Sequence, residues 1–333
     1  MTNLNYEPGS FRDPAGRIFY YQNQVYREVS EIGKKRLDFI KSNNLLNELI
    51  EKKFLIKTDI VEDKNIAELC SNNSIILKHE KIKFISYPYE WTFNQLKDAA
   101  IFHLDLQIYL LGKGAKLIDA TAYNIQFKNN NPIFIDILSV EKYNEGEFWF
   151  GHKQFCENFL NPLILKAKKG IDFNNWFKGN LEGISTNDLY NVLNWKDFLS
   201  FTIFFQVFLQ NKINIKSNKK KIGTEIKIEN LKKLKKNSFL SILKQLKSFI
   251  KSLSPKKQFT SWDNYSKENT YNEEEERIKL KITEEFYRNN KINSLVDLGC
   301  NDGKFSNYAA KNNINVVGFD FDLNALDRAY KYS

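Results

Sequence analysis

The sequence contains few cysteines, and none of them is placed to build a structural framework. Only three of its 333 residues are cysteines, Cys70, Cys156 and Cys300, and they lie far apart with no Cys-x-x-Cys pair. A disulfide-rich secreted scaffold and a cysteine-ligated zinc site are therefore excluded. The three histidines show no metal-ligand spacing either. His103 lies in an apolar helical stretch, which favours a hydrogen-bonded core residue over a metal ligand.

Arginine is scarce although the chain is basic. Seven of the 50 basic residues are arginines, and the formal net charge is +10. Arginine is the side chain best suited to bidentate recognition of phosphates and base edges. We therefore expect no specific nucleic-acid partner, and we assign the many lysines to a solvated surface.

Long apolar runs are also missing. The most apolar stretch, Phe198 to Leu209, is interrupted by polar residues, whereas a membrane-spanning helix needs about 20 apolar residues. The first residues lack the basic and apolar segments of a secretory signal. With 42% hydrophobic and 27% charged residues the composition is that of a globular protein. We expect a cytoplasmic protein with no membrane span.

The clearest functional pattern lies toward the C-terminal end. The apolar run Ser294–Leu298 predicts a buried parallel strand, Gly299 ends it, and Gly303 precedes a predicted helix over Lys304–Lys311. A second apolar strand follows and ends at the carboxylate of Asp320. A glycine loop beside a helix N-terminus lets a ligand approach the backbone. A carboxylate at the carboxyl edge of a parallel sheet can accept hydrogen bonds from ribose hydroxyls.

This segment, VDLGCNDGKFS followed by VVGFD, resembles the first two motifs of class I S-adenosylmethionine-dependent methyltransferases. The resemblance implies a partial α/β Rossmann-like domain whose glycine loop wraps the methionine and ribose parts of S-adenosyl-L-methionine. Asp320 would bind both ribose hydroxyls, and Asp322 is a second candidate for that acid. The residues assigned to the cofactor are Asp297, Gly299, Cys300, Asn301, Gly303, Asp320 and Asp322. The alternative is a glycine turn in a doubly wound domain that binds another ligand or none.

A class I methyltransferase domain has seven strands, and this sequence ends after the second. The resemblance therefore implies a chain truncated after its cofactor loop, without the segments that bind adenine and the methyl acceptor. We expect such a chain to be inactive in methyl transfer. Its catalytic residues cannot be named, and its acceptor, a small molecule or a glycan, is unknown.

A second pattern lies in the N-terminal part, where Asp119 and Asn124 precede a predicted β-hairpin over residues 125–135 and Asp136 follows it. This order resembles the catalytic loop and metal-binding aspartate of protein kinases and aminoglycoside phosphotransferases. The resemblance implies an α+β kinase-like domain that binds Mg-ATP. Asp119 would orient an acceptor hydroxyl, while Asn124 and Asp136 would hold magnesium. A glycine-rich phosphate loop is not found, and the phosphate-contacting lysine cannot be assigned.

Three interpretations of this N-terminal pattern stay open. The first is structural: Asp119 and Asn124 are cap or turn residues and Asp136 is a structural carboxylate. The second is a degenerate kinase-like module that binds ATP or another partner. The third is a working phosphotransferase, which would make the protein a kinase rather than a methyltransferase.

Three regions are predicted. They are a kinase-like domain over residues 1–212, a lysine-rich linker over 213–260, and a partial methyltransferase domain over 261–333. The linker contains an amphipathic helix, which we expect to pack on a neighbouring domain rather than lie on a membrane. Its apolar residues at helical spacing are Leu240, Leu243, Leu246, Phe249 and Ile250.

Aromatic residues just before the glycine loop form a further motif. Trp262, Tyr265 and Tyr271 precede a charged helical stretch, where they either cover the cofactor pocket or pack internally. The order of motifs along the chain, SYPYEW, DATAYNIQF, W-x-x-Y and DLGxxxG, resembles a group of bacterial methyltransferases of nodulation type. No substrate follows from that resemblance.

Overall fold

The structure, a computed structural model, describes residues 4–61, 66, 70, 74–212, 233–256 and 273–332. The predicted lead-in residues Trp262, Tyr265 and Tyr271 lie outside the described residues, as does much of the lysine-rich segment. All ten residues predicted to form the two candidate sites are described.

An antiparallel five-stranded sheet opens the chain, with the spatial order β1-β2-β3-β5-β4. Its strands are β1 (Asn5–Tyr6), β2 (Gly16–Tyr21), β3 (Gln24–Val29), β4 (Thr58–Val61) and β5 (Ile75–His79). The tight turn between β2 and β3 is formed by Gln22 and Asn23, whose φ angles are 46° and 60°. Positive φ at both central residues is the geometry that matches the twist of a two-residue hairpin. This sheet places β3 beside Asp136 of the N-terminal candidate site.

Helices form the larger core beside the sheet. The central one, α3 (Phe93–Gly112), is preceded by Thr92. The Thr92 hydroxyl accepts the N–H of Gln95 at 3.3 Å, and the Gln95 side chain accepts the N–H of Thr92 at 2.8 Å. This reciprocal capping fixes where the helix begins. The helices of this part are α1 (Glu31–Ser42), α2 (Leu45–Glu51), α3 (Phe93–Gly112), α4 (His152–Phe155), α5 (Asn161–Lys169), α6 (Asn174–Gly179), α7 (Thr186–Val192), α8 (Phe201–Ile203) and α9 (Lys236–Ser252). Single π-helical stretches, Cys156–Leu160 and Phe204–Leu209, follow α4 and α8.

His103 lies inside this core. It is 1% exposed and packs against the rings of Phe155 and Phe159, each at a centroid distance of 5.7 Å. Those two rings also contact each other at 5.2 Å, so the three form one cluster. The expected core position is confirmed. The expected hydrogen bond is wrong, because neither ring nitrogen has a hydrogen-bond partner within the described residues.

Helix α9 packs on α3 and joins the same core. Phe239, Leu243, Leu246 and Ile250 are buried, and Lys247 pairs with Asp105 of α3. The structure thus contains a helix where the apolar spacing predicted one, and its buried face packs on α3. The boundaries between the three predicted regions stay a prediction.

Two short strand pairs position the N-terminal candidate site. Strand β6 (Ala115–Leu117) pairs with β9 (Val140–Lys142), and between them β7 (Ile125–Lys128) and β8 (Asn131–Phe134) form a hairpin. Asn129 and Asn130 turn this hairpin with φ angles of 49° and 57°. The predicted hairpin is thus confirmed.

The C-terminal part is a parallel β-α-β unit with flanking helices. Strands Ser294–Leu298 and Asn315–Phe319 run parallel as a two-stranded sheet, with Val296 opposite Val317. The prediction that Ser294–Leu298 is buried is wrong: Val296 and Leu298 are 58% and 79% exposed, because the sheet has two strands and no described element covers these side chains. The elements of this unit are α10 (Glu273–Asn289), β10 (Ser294–Leu298), α11 (Lys304–Lys311), β11 (Asn315–Phe319) and α12 (Leu323–Tyr332). The expectation of a mixed α/β architecture is confirmed.

Helix α12 rests on the start of α3. The N–H of Asn94 donates to Asp327 Oδ1 at 2.8 Å, and the Tyr330 hydroxyl donates to Asp98 Oδ2 at 2.9 Å. These contacts join the C-terminal unit to the N-terminal core. Among the described helices, none combines the length and the apolar character needed to cross a membrane.

Candidate functional site

The C-terminal glycine loop turns sharply between β10 and α11. Gly299, Asn301 and Gly303 have φ angles of 78°, 49° and 77°, which lie in the left-handed region where glycine is favoured. The N–H groups of Gly299 and Cys300 donate to the carbonyl of Phe319 at 2.8 and 3.0 Å. The loop is therefore anchored to the end of the neighbouring strand.

Asp320 closes this loop from the end of β11. Its Oδ2 accepts the N–H of Asn301 at 2.7 Å, and its Oδ1 accepts the N–H of Asp322 at 2.8 Å. Each carboxylate oxygen has two lone pairs, so each oxygen keeps one lone pair after accepting one of these two hydrogen bonds. The structure thus brings Asp320 and the glycine loop together, as the sequence predicted. A carboxylate held in this way can accept hydrogen bonds from two vicinal hydroxyls.

The two glycines of the loop have different neighbours. Within the part of the chain that the structure describes, a Cβ atom built on Gly299 would have no atom beyond its chain neighbours within 4 Å, so the described residues leave this side of the loop open. A Cβ on Gly303 would lie 2.9 Å from the Cβ of Ala329 in α12. Gly299 therefore leaves room for a ligand, whereas Gly303 allows α12 to pack against the loop.

The remaining predicted cofactor residues have structural contacts. Asp297 accepts the hydroxyl of Ser306 at 2.6 Å, which joins β10 to α11. Cys300 is buried against Gly318, where a Cβ would lie 3.0 Å from its sulfur. Burial, followed by the nearby charge of Asp297, raises the pKa of the Cys300 thiol to about 11.

Asp322 begins helix α12. Its Oδ1 accepts the N–H groups of Asn324 at 2.9 Å and Ala325 at 3.1 Å, and its side chain is buried. An aspartate in this position satisfies backbone donors of the first helical turn. Asp322 is therefore a helix cap, whereas the Asp320 carboxylate lies against the glycine loop.

The structure also brings together the three predicted residues of the N-terminal site. Asn124 Nδ2 donates to both oxygens of Asp119, at 3.1 and 3.3 Å. Burial, reinforced by the charge of Asp136, raises the pKa of Asp119 to about 6. Asp136 lies at the end of the β7–β8 hairpin, and its Oδ2 accepts the hydroxyl of Ser139.

Sequence reasoning missed one residue of this site, Arg27. It lies in β3 with 4% of its side chain exposed, and it forms ion pairs with Asp13 through one terminal nitrogen and with Asp136 through the other. Burial alone would raise the pKa of Asp136, but the Arg27 guanidinium and the Ser139 hydroxyl lower it below its usual value. One signal in the sequence could have found it: Arg27 is two residues from both Val25 and Val29, so a strand would place all three on the same face.

These contacts test whether the site suits magnesium. The ion implied by the kinase resemblance needs the oxygen atoms of Asp136 and Asn124. A buried guanidinium already neutralises Asp136, and it would repel a divalent cation placed beside that carboxylate. The residues present therefore do not fit a magnesium ion, and their geometry supports no phosphoryl-transfer step. Among the described residues, no cluster of three or more acidic, histidine or cysteine side chains is arranged to hold a metal.

Comparison with known proteins shows that the chain is similar to a nodulation protein. The chain is 36% identical over 327 residues to nodulation protein NoeA of Rhizobium meliloti (strain 1021), covering 98% of this chain and 68% of that protein. No protein-family model matches the chain. The extent and identity of the alignment show that the chain belongs to the family of nodulation protein NoeA.

Proposed function

We propose that this member of the NoeA family is an S-adenosylmethionine-dependent methyltransferase polypeptide whose cofactor binds at the Gly299 loop and Asp320. The observation that carries the proposal is the pairing of an open glycine turn with a carboxylate held at the end of the next parallel strand. The loop would contact the methionine and ribose parts of the cofactor, and Asp320 would accept both ribose hydroxyls. The partial Rossmann-like fold belongs to the same proposal.

Side chains beside the loop support a nucleoside ligand. Leu298 directly precedes Gly299, and Phe321 directly follows Asp320; they are 79% and 80% exposed. Ligand sites combine an apolar lining with a few placed polar groups, and these two residues lie next to the loop and the acid. The cofactor would supply an electrophilic methyl group, which the protein would orient for transfer to a nucleophile. The methyl acceptor, a small molecule or a glycan, is left open.

We further propose that the N-terminal part is a degenerate kinase-like module rather than a phosphotransferase. The Asp119–Asn124 pair, the hairpin and Asp136 occur in the order that the resemblance implies. The ion pair between Arg27 and Asp136 argues against the magnesium chemistry of a kinase. The module would instead serve as a scaffold or binding surface for the methyltransferase part.

The test of the methyltransferase proposal is ligand-observed NMR with S-adenosylhomocysteine and the 333-residue protein. Saturation-transfer difference spectra detect weak, millimolar binding, so partial contacts with the ligand are sufficient. We expect saturation of the ribose and methionine-side protons. If no saturation reaches the ligand at millimolar concentration, the proposal is refuted.

Two variants make this test specific. Asp320→Ala should remove saturation of the ribose protons, because the variant lacks the carboxylate that would accept hydrogen bonds from the ribose hydroxyls. Asp302→Ala is the matched control. Asp302 takes part in the loop through its backbone N–H, which donates to Asn301 Oδ1 at 2.7 Å and is kept in the variant. Equal ribose saturation in the wild type and Asp320→Ala would contradict the assignment of the ribose acid.

A further inference from the structure

The ion pairs of Arg27 carry an inference that does not depend on the methyltransferase proposal. We propose that Arg27 is a built-in cation that takes the place of a divalent metal in the N-terminal site. The guanidinium would then hold the site together, and the site would neither need nor bind magnesium.

The position of Arg27 supports this role. It joins two carboxylates from distant parts of the chain, Asp13 before strand β2 and Asp136 after the β7–β8 hairpin. A divalent metal holds such sites together in the same way, by bridging carboxylates from separate segments. Arg27 is 3% exposed, so its positive charge is held inside the protein, where water screens it little.

The surroundings of Arg27 show why a positive charge is required there. Asp13, Asp119 and Asp136 are three acidic groups close enough for the charges of the other two to raise the pKa of Asp119, although burial is the larger cause. Neighbouring His79 cannot supply the charge, because burial and the adjacent guanidinium lower its pKa to about 4. At neutral pH the cationic group shown facing these carboxylates is therefore Arg27.

Removing the guanidinium should reverse this arrangement. In an Arg27→Met variant Asp13 and Asp136 would lose their counter-charge, and their oxygen atoms could then close around a hard divalent cation, an arrangement that the wild-type side chains do not have. The variant should therefore gain a cation site that the wild type lacks. Arg27→Lys keeps a positive charge and should gain none.

Mn²⁺ binding followed by electron paramagnetic resonance tests this inference on the 333-residue protein at neutral pH. We expect Mn²⁺ binding by the wild type and by Arg27→Lys to stay the same when Asp136→Asn is added, because neither protein holds an ion at this site. We expect Arg27→Met to bind one additional Mn²⁺, which is lost in the Arg27→Met/Asp136→Asn double variant. Arg36→Met is the matched control, because Arg36 lies beside Glu141 at 3.9 Å and its loss should add no such ion.

Two results would overturn the inference. One is Mn²⁺ binding by the wild type that Asp136→Asn abolishes, which would show a working metal site. The other is a folded Arg27→Met variant that binds no more Mn²⁺ than the wild type. If circular dichroism shows that Arg27→Met does not fold, the comparison of the wild type with Asp136→Asn decides the question. Equal Mn²⁺ binding by those two proteins supports the built-in cation, and a loss in Asp136→Asn refutes it.

Discussion

Replacing each loop glycine by alanine should separate the packing role of Gly303 from the ligand-side role of Gly299. Both residues have φ angles near +77°, so alanine costs roughly 1–2 kcal/mol at either position through backbone strain alone. At Gly303 the added methyl would also meet the Cβ of Ala329 at 2.9 Å, and such overpacking costs a further ~1–3 kcal/mol. We therefore expect Gly303→Ala to destabilise the C-terminal unit more than Gly299→Ala does.

Hydrogen exchange measured by mass spectrometry on peptides from residues 304–332 gives the local difference. An extra ~1–3 kcal/mol corresponds to roughly 5- to 150-fold faster exchange in Gly303→Ala, since 1.4 kcal/mol is a factor of ten. Gly299→Ala should instead weaken saturation transfer to S-adenosylhomocysteine, because its methyl would point into the open side of the loop. Equal exchange in the two variants would refute the packing role assigned to Gly303.

Three further predictions concern charge and packing in the N-terminal part. Burial, with the charge of Asp136 added, raises the folded pKa of Asp119 from 3.8 to about 6; folding therefore disfavours the ionised form. Asp119→Asn should raise the free energy of unfolding at pH 7 by up to ~3 kcal/mol. Denaturation measured at several pH values should show that this gain vanishes below the pKa of Asp119 in the unfolded chain. Burial lowers the pKa of His103 to about 3, so proton uptake by this histidine in the unfolded chain should remove ~2 kcal/mol of stability between neutral pH and pH 5. His79, whose pKa is also lowered, adds a loss of its own, so the same titration on His103→Phe should show a loss ~2 kcal/mol smaller than that of the wild type. Leu243→Ala should cost ~2–5 kcal/mol in urea unfolding because the side chain is fully buried, whereas exposed Lys244→Ala should cost under ~0.5 kcal/mol.

Local patterns were sufficient to predict much of the C-terminal unit. The apolar runs, the two glycines and the terminal acid gave the strands, the loop and helix α11 at their observed positions. The positions of these elements depend on residues close in the sequence, through the preference of glycine for positive φ and the strand preference of continuous apolar runs. The burial expected for these strands depends on contacts with other elements, and that expectation is wrong, because Val296 and Leu298 are largely exposed. The hairpin before Asp136 was predictable for the same reason.

The sequence by itself determined the elements and the glycine loop, and the tertiary structure decided what most of their side chains do. Arg27 meets Asp13 and Asp136 only after strand β3 is placed beside the hairpin, a contact that no local pattern encodes. Gly303 contacts Ala329, and His103 packs against two phenylalanines, for the same reason. Backbone preference acts between neighbours in the chain and can be derived from the order of residues. Burial and charge pairing act between neighbours in space, so they become visible only when the elements have been packed together.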